Sequence, residues 1–299
     1  MGNEPTGGTL SDYWALTKPE VNFLILFTTG AGFYLGYPDR HHQFPFGVFA
    51  HTLLGTLLVA SGTGTLNQFV ERRFDARMRR TSRRPIPAGR LQPSAALRFG
   101  ILLSLAGCID LAVMVNLLAS FLAFLTLASY LFIYTPLKLR TSLCTLVGAL
   151  PGAMPPLIGW AAASGSLSLE AWILYAVLFL WQLPHFMAIA WMYRDDYARA
   201  GYLVLPGGEW NGRVMAWQSA LPAVVLVPIS MIPMLWSHAG LMYSMSVPAL
   251  SWGFFYFGAK LAIHRSNAAA RRLMFASIVY LPCVFFLMVL NKLAAVGPY

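Results

Sequence analysis

Charge is scarce in this chain. Only 11% of its 299 residues are Asp, Glu, Lys or Arg, against 58% hydrophobic residues and a mean hydropathy of +0.60. A soluble domain carries about 25% charged residues, so the soluble class is excluded and an integral membrane protein is expected. Low-complexity segments and sustained internal repeats are missing too. Cysteine is rare: Cys108, Cys144 and Cys283 fall within apolar runs and lack metal-ligand spacing, so they read as small core residues. Residues 1–17 hold Glu4 and Asp12 but no Lys or Arg, and the first apolar run lacks a small-residue cleavage pattern. Neither a cleaved signal nor a transit peptide is therefore expected.

Apolar runs of helical length recur instead. They fall at roughly 20–37, 46–66, 98–115, 117–136, 143–163, 170–192, 215–236, 243–262 and 273–291, each long enough to cross the hydrocarbon core as a helix. Barrel strands would be half as long and would alternate in polarity. The expected fold class is all-α: one polytopic membrane domain over 1–299 with nine transmembrane helices. Its two longer loops are expected at 67–97 and 193–214. Proline and glycine within spans, as in "LPGAMPPLIGW" (150–160), are read as kinks or as points of close packing.

The net charge of +10 raises nucleic acid as a partner, and its distribution removes it. With nine spans and an inside N-terminus, the cytoplasmic segments hold 19 of the 21 Lys and Arg residues, leaving Arg40 and Lys292 outside. Topology accounts for that asymmetry, and it gives an N-in, C-out arrangement.

The stretch "NQFVERRFDARMRRTSRRP" (67–85) concentrates the scarce charge. Asn67, Glu71 and Asp75 are spaced by four, so they share one helical face at the cytoplasmic end of the second span. Carboxylates at that spacing repel each other, and the stripe therefore implies a cation between them. Mg2+ prefers such oxygen donors together with substrate phosphate oxygens. Arg72, Arg79, Arg80 and Arg84 supply guanidinium forks that match phosphate. Arginines beside a span are also what topology alone demands, and both roles stay open for each of them.

A second cluster, "YRDDYARAGYLVLP" (193–206), puts Arg194, Asp195, Asp196, Tyr197 and Arg199 on the same side. Ordinary ion pairing within the loop is its plain alternative. Together the clusters suit a metal-bound diphosphate facing a hydrophobic bundle, which points to an isoprenyl diphosphate with its tail between the helices. Metal binding makes the diphosphate a better leaving group. Aromatic faces then stabilise the allylic cation.

These motifs resemble the UbiA superfamily of intramembrane prenyltransferases. The first motif carries the superfamily resemblance. "YTPLKLRTSLCTLVGALPGAMPPLIGW" (134–160) and "WQLPHFMAIAWMYRDDYARAGYLVLP" (181–206) are similar to its haem-farnesylating branch. The resemblance runs from "LTKPEV" (16–21) through the ninth span. It implies nine helices around a central cavity in the bacterial cytoplasmic (inner) membrane, with Mg2+ as cofactor. The implied substrates are farnesyl diphosphate and haem b, and the implied product is haem O for haem-copper oxidases. Membrane lipid is the surrounding partner, with haem A synthase or oxidase assembly proteins beyond it. Asn67, Glu71, Asp75 and Asp196 become the catalytic set, with Asp195 as a further metal residue. Glu71 stands where many members have Asp, and the second motif lacks the full D-x-x-x-D pattern. Both departures fit the haem branch.

His185, two to three turns before the second acidic pair, can face the same cavity and bind haem, or simply hydrogen-bond to a neighbouring helix. His51 and Asp110 are expected nearer the outer face. Lys138, with Tyr134, is placed to reach the diphosphate or to anchor the cytoplasmic end. Within enzymes the alternative acceptor is an aromatic quinone precursor. A transporter would spread its polar groups through the membrane depth, and a haem-binding assembly factor would leave the acidic stripe without a purpose.

Overall fold

A computed structural model describes residues 8–37, 43–205, 210–233 and 240–295, without the side chains of 210–214 and 293–295. Glu4, Arg40 and residues 206–209 of the second loop lie outside the described residues. The described chain is helical throughout, with no strand among the described residues.

The helices are α1 (Leu10–Thr17), α2 (Pro19–Gly36), α3 (Phe46–Asp75), α4 (Pro93–Met114) and α5 (Leu117–Ser129). A π-helical turn (Tyr130–Tyr134) carries α5 into α6 (Thr135–Leu137). There follow α7 (Cys144–Gly152), α8 (Pro155–Ser164), α9 (Leu169–Met192), α10 (Arg194–Ala200), α11 (Trp210–Met231), α12 (Leu241–His264) and α13 (Asn267–Ala295). Every apolar run named above is thus formed of helix among the described residues, apart from run ends and a break at 153–154 within 143–163. Among the described residues six segments are long and apolar enough to cross a membrane: Phe46–Asp75, Pro93–Met114, Leu117–Leu137, Cys144–Ser164, Leu169–Met192 and Asn267–Lys292.

Local chemistry sets the boundaries. Thr9 and Asp12 form a reciprocal capping box that starts α1. Lys18, at φ 54°, turns the chain in a left-handed conformation, and Pro19 opens α2. Asn116 separates α4 from α5: its Oδ1 accepts from Ala119 N at 2.8 Å, and its Nδ2 donates to the Ala161 carbonyl at 2.8 Å. Two spans nearly without a connecting loop are possible because one side chain caps the new helix and ties it to α8.

Small residues bring the helices together, as apolar lipid gives no hydrophobic drive for association. A Cβ on Gly159 would lie 2.7 Å from the Phe33 amide, and one on Gly107 would lie 2.6 Å from the Gly55 carbonyl. Hence α2 packs closely on α8, and α3 on α4. On the other side α9, α11, α12 and α13 pack in turn, and α13 also meets α2.

Length is what positions the site. At 30 residues α3 is about 45 Å long, while the hydrocarbon core is about 30 Å thick. Its last turns, carrying Asn67, Glu71 and Asp75, therefore extend beyond the length a span needs.

Candidate active site

Asn67, Glu71 and Asp75 lie along one face of α3 and are 2%, 5% and 1% exposed. Burial of three such groups is costly unless each is partnered, and the partners come from distant segments. Lys138 Nζ donates to Glu71 Oε1 at 2.7 Å, and Arg84 Nη1 donates to Asp75 Oδ2 at 2.7 Å. Asn67 Nδ2 donates to Thr135 Oγ1 at 3.2 Å, and Lys18 Nζ approaches Asn67 Oδ1 at 3.5 Å. The π-helical turn directs this arrangement. Thr135 Oγ1 donates to the Tyr130 carbonyl at 2.9 Å, and Lys138, one residue beyond α6, lies over the Tyr134 ring. Such π turns recur at functional sites.

The second cluster meets the first directly. Asp196 is buried, accepts from the Arg80 amide at 3.0 Å and is held by Arg199. The Lys138 carbonyl accepts from Leu203 N at 2.7 Å, and Tyr202 packs 5.4 Å from Phe74, ring to ring. Tyr197 lies beside Tyr202. The two loops thus form one polar layer over the end of α3.

Not every predicted residue enters that layer. Asp195 faces away, its side chain 81% exposed. Arg72 donates to the Phe69 carbonyl and lies over that ring. Arg79 is exposed, Arg80 lies over Tyr193, and Arg194 bonds to the Trp191 carbonyl and to Asn267. The structure also adds members that pattern reading missed. Lys18 was visible only as a topological charge, and Thr135, Tyr130 and Tyr202 carry no spacing signal.

Electrostatics follow from burial. Removal from water draws the Lys18 ammonium down to about 7, with Arg84 adding to the effect. Burial is the largest single influence on Lys138 and lowers it, but Glu71 together with Tyr134 and Tyr130 outweighs burial and holds that ammonium well above its ordinary value. Burial, with the neighbouring Glu71 carboxylate, raises the Tyr202 phenol. Three carboxylates (Glu71, Asp75 and Asp196) are paired with three cations (Lys138, Arg84 and Arg199). The layer is therefore ion-paired at rest, and protonation of Lys18 beside it adds the positive charge that suits an anionic ligand.

Among the described residues no three His, Cys, Asp or Glu side chains form a ready metal cage. The donor set nevertheless fits a hard cation. Among the described residues Asp75 Oδ1 is buried without a hydrogen-bond partner, and Asn67 Oδ1 has only the distant Lys18 contact. Such oxygens, completed by ligand phosphate, are what Mg2+ takes.

Beneath the layer lies a cavity of about 300 Å3, lined by Lys18, Asn22, Tyr130, Tyr134, Gln182 and His185 among apolar residues. It extends from the polar layer at Lys18 to His185 within α9. His185 Nδ1 shares a 2.7 Å hydrogen bond with Ser277 Oγ, and its ring stacks on Trp181. His51 is elsewhere, paired with Asp110 at 2.8 Å.

An intramembrane helical bundle with a buried acid-and-base layer over an apolar cavity defines a class, and the comparisons agree with it. The chain belongs to the UbiA prenyltransferase family, whose model matches residues 25–279. It is similar to the protoheme IX farnesyltransferase of Solibacter usitatus, 46% identical over 95% of this chain and 99% of the relative. The protein of that name from Salinibacter ruber is 43% identical over 94% of this chain and 99% of its own. Among solved structures, a digeranylgeranylglyceryl phosphate synthase has a TM-score of 0.76 at 14% identity, covering 95% of this chain and 99% of that one. A UbiA homolog from Archaeoglobus fulgidus, bound to DMAPP and Mg2+, has a TM-score of 0.65 at 13% identity, covering 93% of this chain and 99% of that one. These two likenesses show the fold.

Proposed function

We propose that the chain transfers the farnesyl group of farnesyl diphosphate to a vinyl group of haem b, with addition of water, to give haem O. The observation that carries this reading is the buried Asn67–Glu71–Asp75 stripe, with its cations, over an apolar cavity that reaches His185. Relatives that share 46% and 43% of the sequence and bear the name protoheme IX farnesyltransferase support the choice of acceptor.

Asn67, Glu71, Asp75 and Asp196 would hold Mg2+, and solvent-facing Asp195 is left out of that set. When bound, the metal neutralises the diphosphate and makes it a better leaving group. Lys138, Arg84, Lys18 and Arg199 take the remaining phosphate charge; Arg79, Arg80, Arg194 and Tyr197 line the approach. The farnesyl C1–O bond breaks and its electron pair leaves with diphosphate. The vinyl π electrons form the new C–C bond, and the carbon beside the porphyrin takes up water and loses a proton. Tyr130 and Tyr134, lining the cavity at the layer, present aromatic faces to the developing allylic cation. His185, held through Nδ1, leaves Nε2 for haem iron.

The charge asymmetry supports nine spans in the cytoplasmic membrane, N-in and C-out, with both motif loops at the cytoplasmic face. Haem A synthase or oxidase assembly proteins would then receive the product.

The test is product analysis by mass spectrometry with purified chain, farnesyl diphosphate, Mg2+ and haem b. Haem O is expected, and Asp75→Asn should lower its formation by at least about 100-fold, the scale of losing a charge-stabilising group. No haem O from haem b, with a prenylated product when 4-hydroxybenzoate is supplied as acceptor instead, would overturn the assignment.

A further inference from the structure

The last two helices carry a feature that the reaction does not use. Between α12 and α13 runs a groove of about 950 Å3, lined by Gly253, Phe257, Phe275, Val279 and Phe286, with Arg271 and Arg272 at one end. At that end it adjoins a smaller pocket of about 160 Å3 through Phe257 and Arg272, where Lys260, His264 and Ser266 are found. None of these residues lines the cavity beneath the polar layer.

The charge of this corner is of one sign. No Asp or Glu follows Glu209 in the sequence, and among the described residues Lys260, Arg265, Arg271 and Arg272 form no ion pair. The N-terminus of α13 opens here, capped where Ser266 Oγ accepts from Ala269 N at 3.2 Å, and its dipole adds to the positive potential. Apolar groove and cationic pocket are thus continuous.

Length tells which amphiphile fits. Arg271 and Leu287, both on the groove, are sixteen residues apart on one helix, about 24 Å along its axis. That is the form of a hydrocarbon chain lying along two helices, not of a planar ring. Basic pockets between transmembrane helices are known recognition sites for anionic lipid head groups.

We propose that the α12–α13 groove binds an anionic phospholipid, with its phosphate among Lys260, Arg271, Arg272 and the α13 N-terminus and an acyl chain along Gly253, Phe275 and Phe286. Arg194 bonds Asn267 at 2.9 Å, so the head group lies beside the second motif loop and on the same face.

The test is native mass spectrometry of the full chain in detergent, titrated separately with phosphatidylglycerol and phosphatidylcholine. Wild type should retain phosphatidylglycerol in preference, and R271Q/R272Q should lose about tenfold or more of that preference, following the surface-charge contribution of two arginines. Gly253→Leu supplies a second test. A Cβ at Gly253 meets nothing within 4 Å, so the leucine enters the groove from an open position, and it should lower phosphatidylglycerol retention although every charge remains. Unchanged haem O formation without added lipid confirms that both variants are folded. Equal retention of the two lipids by wild type, or an undiminished preference in R271Q/R272Q, would overturn the proposal. Full retention by Gly253→Leu would also sink it, because the attraction would then be to charge alone.

Discussion

Removing Lys138 should harm the fold more than removing Lys138 and Glu71 together. The pair is 2.7 Å apart, with side chains 12% and 7% exposed, so neither charge is well hydrated. Taking one partner from a buried pair costs about 3–5 kcal/mol, because the other charge is left buried and uncompensated. Replacing both by uncharged groups of similar size is about neutral or even stabilising. Lys138→Met and Glu71→Gln should therefore each destabilise by about 3–5 kcal/mol, while the double variant costs less than either. The coupling between them should exceed about 3 kcal/mol. The assay is unfolding of all four proteins in one detergent, by denaturant or heat, alongside haem O formation. Under the proposed mechanism the double variant regains stability but not activity, which separates the support of the fold from the chemistry. Single variants costing less than about 1 kcal/mol, or a double variant equal to their sum, would refute the reasoning.

Other regions give sharper tests of packing and titration. Lys292 Nζ donates to the carbonyls of Tyr34, Leu35 and Tyr37, at the end of α2, at 2.7 to 3.0 Å. Hydrogen bonds from a charged donor are the strong ones, so Lys292→Met should lower stability by about 2–4 kcal/mol in thermal unfolding, with Lys292→Arg milder. Gly159→Ala places its Cβ against the backbone of Thr29 and Phe33; overpacking of about 1–3 kcal/mol should exceed the gain of about 1 kcal/mol in helix propensity. Gly47→Ala, which meets nothing within 4 Å, should show only the gain in the same assay. Burial pulls Lys18 down to about 7 from 10.5, so between those values the unfolded chain binds the additional proton. Stability should therefore rise with pH across that window, and Lys18→Met should flatten the rise in denaturation series at pH 7, 8.5 and 10.

The fold was legible because lipid leaves the backbone few choices. Apolar runs of span length must be helices, and each expected run is helical among the described residues apart from run ends and the break within 143–163. The break around Asn116 was readable as polarity, but its capping of α5 and its bond to α8 were not, since the second depends on which helices meet. The "LPGAMPPLIGW" segment was read as a kink or a point of close packing, and both occur: the helix is interrupted between Gly152 and Pro155, and Gly159 meets the backbone of α2. His51 and Asp110 were noted separately. Their 2.8 Å pairing joins residues 59 positions apart, and no periodicity encodes such a meeting.

The acidic stripe was legible for the same reason that its partners were not. Spacing by four fixes Asn67, Glu71 and Asp75 on one face of α3 before any tertiary contact is made. Which cation answers which carboxylate depends on loops that fold back, and the arginine-rich stretch divides accordingly: Arg84 reaches Asp75, while Arg72 turns to Phe69. The sequence reading expected a cation between repelling carboxylates, and the resting protein meets that need with its own Lys138 and Arg84. In the proposed reaction Asn67, Glu71, Asp75 and Asp196 would hold the metal, while Lys138, Arg84 and Arg199 would pair with the phosphates, so that each buried charge would keep a partner with ligand bound. A single carboxylate or cation removed from this set breaks that pairing at one point, which is why stability and activity should part company in the Glu71–Lys138 double variant.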